Sequence, residues 1–219
     1  MPEHEDDLPS DLLDGYRRFR ATRYASERER YRRLADEGQR PSSIVVACSD
    51  SRTAPETVFD AGPGQMFVIR NIAATVPPYE PDRHRHAASA ALEYGVLALE
   101  VDSIVVLGHA HCGGVAAALA AALSDWDPLA PSDFVGAWIS DLRALAREDT
   151  AAEPSDSSSR QHALELQSVE RSLSNLLTFP WILSRHEAGT LSIHGAWLDI
   201  GLGELHLLSN GRWTSMAPD

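Results

Sequence analysis

Residues 43–48 read Ser-Ile-Val-Val-Ala-Cys, a short apolar segment that is rich in β-branched residues and bounded by turn residues. A segment of this length and composition predicts a strand buried on both faces, as the strands of a parallel sheet are. Similar segments at 65–71, 103–108, 190–194 and 204–208 predict four further strands. The chain therefore has enough strands for one central sheet.

Helical patterns separate these predicted strands. Alanine-rich segments at about 87–100 and 114–123 predict helices on either side of the strand at 103–108. Strands that alternate with helices indicate an α/β fold, with a mostly parallel central sheet flanked by helices. The short connection at 200–203 predicts that the last two strands form a C-terminal antiparallel hairpin. Apolar residues at helical spacing over 11–37 predict one or two amphipathic N-terminal helices.

Bulk properties limit the domain count and the partners. The chain has 219 residues and a formal net charge of -13. We predict a single domain over residues 1–219, with a mobile N-terminus at 1–10 and a flexible Ser-rich loop at 148–161. The acidic balance disfavours nucleic acid and anionic membranes as partners. The N-terminus lacks signal-peptide features, and no apolar segment reaches membrane-spanning length, which predicts a cytoplasmic protein.

Cys48 and Cys112 are the only cysteines in the sequence. In a reducing compartment, thiols are more often metal ligands or catalytic groups than a disulfide. Each follows a predicted parallel strand, at the sheet edge where open α/β folds bind ligands. With His109 they form the two-Cys, one-His set of a catalytic zinc site with an open fourth position. His111 is the alternative imidazole, but it directly precedes Cys112 and its side chain is expected to point elsewhere.

Asp50 and Arg52 follow Cys48 at spacings of two and four residues. An Arg beside an Asp lowers the pKa of the carboxyl and fixes its orientation through a bidentate pair. Zinc lowers the pKa of a bound water toward ~7, so an ionised Asp50 near the metal would be able to accept a proton from that water. The pattern therefore predicts Asp50 and Arg52 as the catalytic pair.

Taken together, Cys48-x-Asp50-x-Arg52 and His109-x-x-Cys112 resemble the motifs of the β-class carbonic anhydrases, in particular the plant-type subgroup. The resemblance implies zinc-dependent, reversible hydration of carbon dioxide to bicarbonate and a proton through zinc-bound hydroxide, with one zinc ion per chain. It covers nearly the whole chain outside the two ends and the Ser-rich loop. The other matching segments are 13–20, 39–41, 67–71, 76–79, 90–94, 172–180 and 193–199.

The resemblance also implies a substrate pocket and an oligomer. The pocket positions of the family are matched by Gln39, Phe67, Ile72, Tyr94 and Gly113. The apolar members suit carbon dioxide, Gln39 would donate a hydrogen bond to its oxygen, and the backbone N–H of Gly113 would help to hold bicarbonate. N-terminal helices of this family reach over a partner subunit, which implies a homodimer or a higher even homo-oligomer.

Three other functions stay open at this point. A hydrolase of carbonyl sulfide or carbon disulfide would share the fold and the ligand set, although the pocket residues favour carbon dioxide. A non-enzymatic zinc-binding regulatory protein is disfavoured because Asp50 and Arg52 are both present, and a cysteine hydrolase would hold no stoichiometric zinc. The subgroup that bicarbonate regulates carries a Trp shortly before the first Cys. Residues 43–47 contain none, which predicts an open site without that switch.

Overall fold

The computed structural model describes residues 8–123, 127–149 and 156–216. The chain divides into two compact units, Met1–Gln39 and Arg40–Asp219. Of the N-terminal segment predicted to be mobile, residues 1–7 lie outside the described residues, and the first helix begins at Ser10.

The first unit consists of helices α1 (Ser10–Ala21), α2 (Arg23–Ser26) and α3 (Arg28–Glu37). The predicted one or two helices are therefore three, because Thr22 and Glu27 leave helical φ/ψ values. The apolar faces meet in an aromatic cluster, in which the Phe19 ring lies 5.9 Å from Tyr24 and 5.8 Å from Tyr31 between centroids. Such tilted and edge-on pairs stabilise a small unit beyond the area that they bury.

The second unit contains the sheet, which has six strands among the described residues, in the order β2-β1-β3-β4-β5-β6. Four strands are parallel and the last two are antiparallel, so the predicted α/β fold and its C-terminal hairpin are confirmed. The strands are β1 (Ser43–Cys48), β2 (Met66–Asn71), β3 (Ser103–His109), β4 (Ser192–Asp199), β5 (Glu204–Ser209) and β6 (Arg212–Ser215).

Strand β6 was not predicted, although its signal is present in the sequence. Asn210 and Gly211 connect β5 to β6, and both have left-handed backbone angles, with φ of 51° and 72°. Asn-Gly in this conformation is the two-residue turn whose twist matches a β-hairpin. The turn adds a second antiparallel strand at this edge of the sheet.

Helices cover the sheet and define its buried faces. Ile44 and Val46 of β1, with Ile104 and Val106 of β3, pack in the largest apolar cluster, which also holds residues of α5, α9 and α10. Val45, Ala47 and Leu107 alternate with them and face the other side of the sheet. The helices of this unit are α4 (Pro55–Val58), α5 (Ala87–Glu93), α6 (Gly113–Ala122), α7 (Phe134–Trp138), α8 (Ser140–Asp149), α9 (Ser157–Leu176) and α10 (Pro180–Glu187).

Two predicted boundaries differ from the structure. The helix predicted at 87–100 widens into a π-helical turn at Tyr94–Ala98, where Ile44 leaves no room for a Cβ atom on Gly95. The loop predicted at 148–161 is shorter, because α8 runs to Asp149 and α9 begins at Ser157.

The Ser-rich composition of that segment belongs partly to a helix start. The Asp156 side chain accepts hydrogen bonds from the backbone N–H groups of Ser158 and Ser159, as an N-cap does. Residues 150–155 lie outside the described residues. Within the described part of the chain, no helix is long and apolar enough to cross a membrane.

Candidate metal centre

The two central strands bring the predicted ligands together. Cys48 is the last residue of β1, His109 is the last residue of β3, and Cys112 directly precedes α6. Because β1 and β3 pair in parallel, with Ala47 opposite Leu107, both strands end at the same sheet edge. One ligand atom from each of the three residues lies within 4.8 Å of the others. Their side chains are 5%, 2% and 2% exposed, so the cluster is closed to bulk water on most sides.

The orientation of His109 leaves one ring nitrogen free for a ligand. Its Nδ1 lies 2.8 Å from the carbonyl oxygen of Ala110, so this nitrogen carries the proton and donates it. Its Nε2 is buried and has no hydrogen-bond partner among the described residues. A buried lone pair without a partner is unfavourable, and a metal ion beside two thiols would satisfy it.

His111 takes a different direction. It is exposed, has a left-handed φ of 54° and lines a separate cavity of about 190 Å³ with Gln161, His162 and Asp199. Among the described residues, the ligand cluster therefore contains His109 and not His111. Donor chemistry and geometry both fit zinc at this cluster, since zinc binds thiolate and imidazole in a tetrahedral set.

The two thiols influence each other directly. Their sulfur atoms are 4.0 Å apart. This contact lowers the pKa of Cys48, against the opposing effect of burial, and the neighbouring His109 imidazole and the N–H groups of Asp50 and Ala73 lower it further. The same contact and burial raise the pKa of Cys112. A divalent cation bound by both sulfur atoms requires both thiolates, so its binding would release the protons of the two thiols.

Asp50 and Arg52 form a bidentate ion pair beside the cluster. Arg52 donates from Nε to Oδ1 at 2.9 Å and from Nη2 to Oδ2 at 2.7 Å, and its backbone N–H adds a third bond. These bonds hold the pKa of the Asp50 carboxyl well below its usual range, although partial burial opposes them. Both carboxylate oxygens are therefore oriented and ionised. The expectation of an open site without a bicarbonate switch stays a prediction.

Arg70 braces this segment and was not singled out from the sequence. From β2 it donates through Nε to the Cys48 carbonyl at 2.9 Å and through Nη2 to the Asp50 carbonyl at 2.6 Å. It thereby connects the backbone of a predicted zinc ligand and of the predicted proton acceptor Asp50 to the neighbouring strand. Its place within the family-like segment 67–71 was the one sequence signal for it.

The start of α6 lies against Ile72. A Cβ atom on Gly114 would lie 2.7 Å from Cγ2 of Ile72 and 3.0 Å from Cβ of Ala73, whereas one on Gly113 would have nothing within 4 Å. The structure therefore places Ile72 beside the loop that carries Cys112 and Gly113. Gly114 permits this close approach.

We expect Gly114→Ala to destabilise the protein by about 1–3 kcal/mol, because the added methyl group overpacks the contact with Ile72 and Ala73. Gly113→Ala is the matched control, since the same change one residue earlier meets open space. Denaturant unfolding of both variants measures the difference. Equal free energies of unfolding for the two variants would contradict the packing assignment.

An apolar pocket of about 350 Å³ opens at the same sheet edge. It is lined by Ser49, Ile69, Ile72 and Trp138, among others. The Trp138 indole donates a hydrogen bond to the Ile72 carbonyl at 2.9 Å, which fixes one wall of the pocket. Sequence reasoning did not single out Trp138. The pocket adjoins the ligand edge through Ser49, the residue that follows Cys48.

Phe67 and Tyr94 form a ring pair away from the metal-ligand cluster. Their rings pack with centroids 6.0 Å apart. On β2, Phe67 lies opposite Ile44, and Asn71 lies opposite the ligand Cys48. Phe67 is therefore four residues away from the position that faces Cys48. At a rise of about 3.3 Å per residue, this places Phe67 roughly 13 Å from the ligand edge along the strand. Within one chain, the structure does not bring these two rings to the metal ligands. Gln39 ends the first unit, and its role stays a prediction.

Known proteins resemble this chain over nearly all of its length. A sequence profile described as carbonic anhydrase matches residues 43–205. The carbonic anhydrase of Pseudomonas aeruginosa is 35% identical over 209 residues, which cover 94% of this chain and 91% of that protein. The structure of the β-carbonic anhydrase CcaA matches with a TM-score of 0.83 at 30% identity, over 96% of this chain and 92% of that one. A tetrameric β-carbonic anhydrase from Sordaria macrospora matches with a TM-score of 0.76 at 30% identity, over 94% of this chain and 98% of that one.

Proposed function

Because this chain belongs to the β-class carbonic anhydrase family, we propose that Cys48, His109 and Cys112 hold one catalytic zinc ion per chain, at which carbon dioxide is reversibly hydrated. The observation that carries the proposal is the Nε2 atom of His109. It is buried, it has no partner among the described residues, and it lies beside two thiols. Two thiolates and one imidazole are the ligands of a catalytic zinc site, in which a fourth position is left for water.

The side chains around the cluster have separate tasks in this proposal. When bound, zinc would act as a Lewis acid that lowers the pKa of a water molecule and supplies a nucleophile at neutral pH. The Asp50 carboxylate would accept or orient a proton of that water, and Arg52 keeps the carboxylate ionised and fixed through its bidentate bonds. Ile72 and the apolar pocket beside it hold carbon dioxide, and the backbone N–H of Gly113 donates to bicarbonate.

We propose that a second copy of the chain completes the substrate pocket. Phe67 lies about four strand residues from the ligand edge of its own chain, and the Tyr94 ring packs against it, so the two rings would reach a metal ligand set only across an interface. A homodimer or a higher even oligomer provides that interface through a two-fold axis. The relative from Sordaria macrospora is described as tetrameric, which supports an oligomer for this chain as well.

Subunit mixing tests the shared pocket. One tagged subunit carries Cys112→Ser, and a differently tagged subunit carries Phe67→Ala with Tyr94→Ala. Each homo-oligomer is expected to be impaired, whereas a mixed dimer is expected to recover about half of the wild-type activity, because one of its two sites has all of its residues. Stopped-flow hydration of purified mixed oligomers measures the recovery.

The control for subunit mixing pairs two defects of the same ligand set. A mixed dimer of Cys112→Ser and His109→Ala subunits contains no intact metal site and is expected to recover nothing. If the first mixed dimer shows only the sum of the two residual activities, Phe67 and Tyr94 do not act across the interface.

Stopped-flow hydration of carbon dioxide, with zinc analysis of the same sample, tests the proposed function. About one zinc ion per chain is expected, together with hydration well above the buffer rate. Carbonyl sulfide and carbon disulfide are assayed in parallel, because an apolar pocket beside Ile72 would admit them too. Zinc-loaded protein that hydrolyses either of these but does not hydrate carbon dioxide would transfer the assignment to that hydrolase.

A further inference from the structure

A buried carboxylate contacts the metal-ligand loop from behind. Glu165 lies on α9, far from the catalytic motifs in sequence, and its side chain is only 3% exposed. Its Oε1 accepts a hydrogen bond from the backbone N–H of Cys112 at 3.1 Å. Gln161, one helical turn earlier, donates from Nε2 to the same oxygen at 3.0 Å. The pair therefore binds the backbone of a predicted zinc ligand.

The burial of this carboxylate needs a physical reason. A carboxylate removed from water is unfavourable unless donors satisfy it. Across residues 8–123, 127–149 and 156–216, no Lys, Arg or His lies within ion-pair distance of Glu165. The N–H of Cys112 and the amide of Gln161 are the donors that the structure assigns to it. The same hydrogen bond holds the turn that carries Cys112 against Glu165.

That turn has an unfavourable backbone conformation. His111 has a left-handed φ of 54°, which residues with a side chain rarely adopt and which surrounding contacts must maintain. Cys112 follows at once and directly precedes α6. Its backbone N–H is held from the α9 side by Glu165. Removal of this contact would free the turn to relax.

We propose that Glu165, oriented by Gln161, is a positioning residue that fixes Cys112 for metal binding. The inference rests on the zinc site proposed above and deepens it, because Glu165 acts through the Cys112 backbone and contacts neither substrate nor metal ligand atoms. This role requires a hydrogen-bond acceptor at the position of the Glu165 Oε1 atom. Residues that orient metal ligands change metal affinity by about 10–100-fold when they are replaced.

Zinc affinity under chelator competition tests this role without reference to activity. Glu165→Ala removes the acceptor and is expected to weaken zinc binding by at least about tenfold. Glu165→Gln keeps an oxygen for the Cys112 N–H and is expected to stay close to wild type. Glu170→Ala is the matched control, because Glu170 is exposed on the same helix and its side chain accepts a hydrogen bond from the distant Trp213 indole.

Cobalt substitution provides a readout that a merely structural role would not change. The thiolate absorption bands of the Co²⁺ protein report how Cys112 meets the metal, and they are expected to shift in Glu165→Ala but not in Glu170→Ala. Thermal unfolding of the metal-free variants measures any general loss of stability separately. If Glu165→Ala does not fold, Gln161→Ala replaces it, with a smaller expected loss of zinc affinity.

The outcomes separate this inference from the proposed function. Wild-type zinc affinity and cobalt bands in Glu165→Ala would overturn the positioning role, and so would a Glu165→Gln variant as weak as Glu165→Ala. If the wild-type protein itself binds no zinc, the proposed metal site fails, whatever Glu165 does.

Discussion

Replacement of Cys112 by serine is expected to remove the bound zinc and to lower the rate of carbon dioxide hydration by more than about a thousandfold. A serine hydroxyl is a poor zinc ligand at neutral pH, so the site would keep one thiolate and one imidazole instead of three ligands. Cys112 is 2% exposed, and its sulfur lies 4.0 Å from that of Cys48, so no other thiol in the chain can replace it. Zinc content and stopped-flow hydration, measured on the same sample, check this expectation.

A matched pair of histidine variants accompanies this change. His109→Ala is expected to reproduce the loss of zinc, whereas His111→Ala is expected to retain one zinc ion per chain. The reason is that His109 points Nε2 into the ligand cluster, while His111 lines a different cavity. Loss of zinc in His111→Ala with retention in His109→Ala would reverse the ligand assignment. A Cys112→Ser variant that hydrates carbon dioxide at the wild-type rate would contradict the proposed zinc mechanism.

Replacement of Asp50 by asparagine is expected to leave zinc in place and to reduce hydration by about 100–10,000-fold. The amide cannot accept a proton, and it presents one acceptor oxygen to Arg52 where the carboxylate presents two. Arg52 now bonds to both oxygens at 2.9 and 2.7 Å, so the substitution removes both the charge and half of the bidentate pair. Hydration rates normalised to zinc content separate a catalytic defect from metal loss.

Asp82→Asn is the control for this experiment. Asp82 is exposed and bonds to His86 at 2.7 Å, so it loses the same charge outside the proposed site. Its hydration rate is expected to match wild type. If Asp50→Asn loses its zinc, Asp50 maintains the metal site structurally. If its rate per zinc is unchanged, Asp50 is not the proton acceptor.

The parts of the site that follow from local sequence were predictable. Cys48 and Cys112 each end or follow an apolar segment, and parallel strands place such ends at one sheet edge. The Asp50–Arg52 ion pair was predictable because the two residues are only two positions apart in the sequence. These inferences need only strand length and direction.

The contacts that cross the sequence were not predictable in the same way. Glu165 lies 53 residues from Cys112, and a Glu on an amphipathic helix is ordinarily a solvent-exposed residue. Arg70 bonds to Cys48 from 22 residues away, through a backbone carbonyl that no side-chain pattern reveals. For Phe67 and Tyr94, the family resemblance identifies the residues but does not tell which subunit's metal site they line. All of these contacts depend on how distant helices, strands and subunits pack against one another, and a single sequence specifies that packing only indirectly.

The placement of the ligands on two strands also bears on how the protein matures. Cys48 and Cys112 are 64 residues apart, so a newly made chain has only half of its thiol donors until the second one is synthesised. The complete donor set then exists only after β1 and β3 have paired, and metal uptake follows assembly of the sheet centre. Once bound, the ion ties together two segments that are distant along the chain, and the folded state gains stability as free zinc rises above its dissociation constant. Zinc supply would thus contribute to the free energy of unfolding of each finished molecule, independently of its catalytic rate.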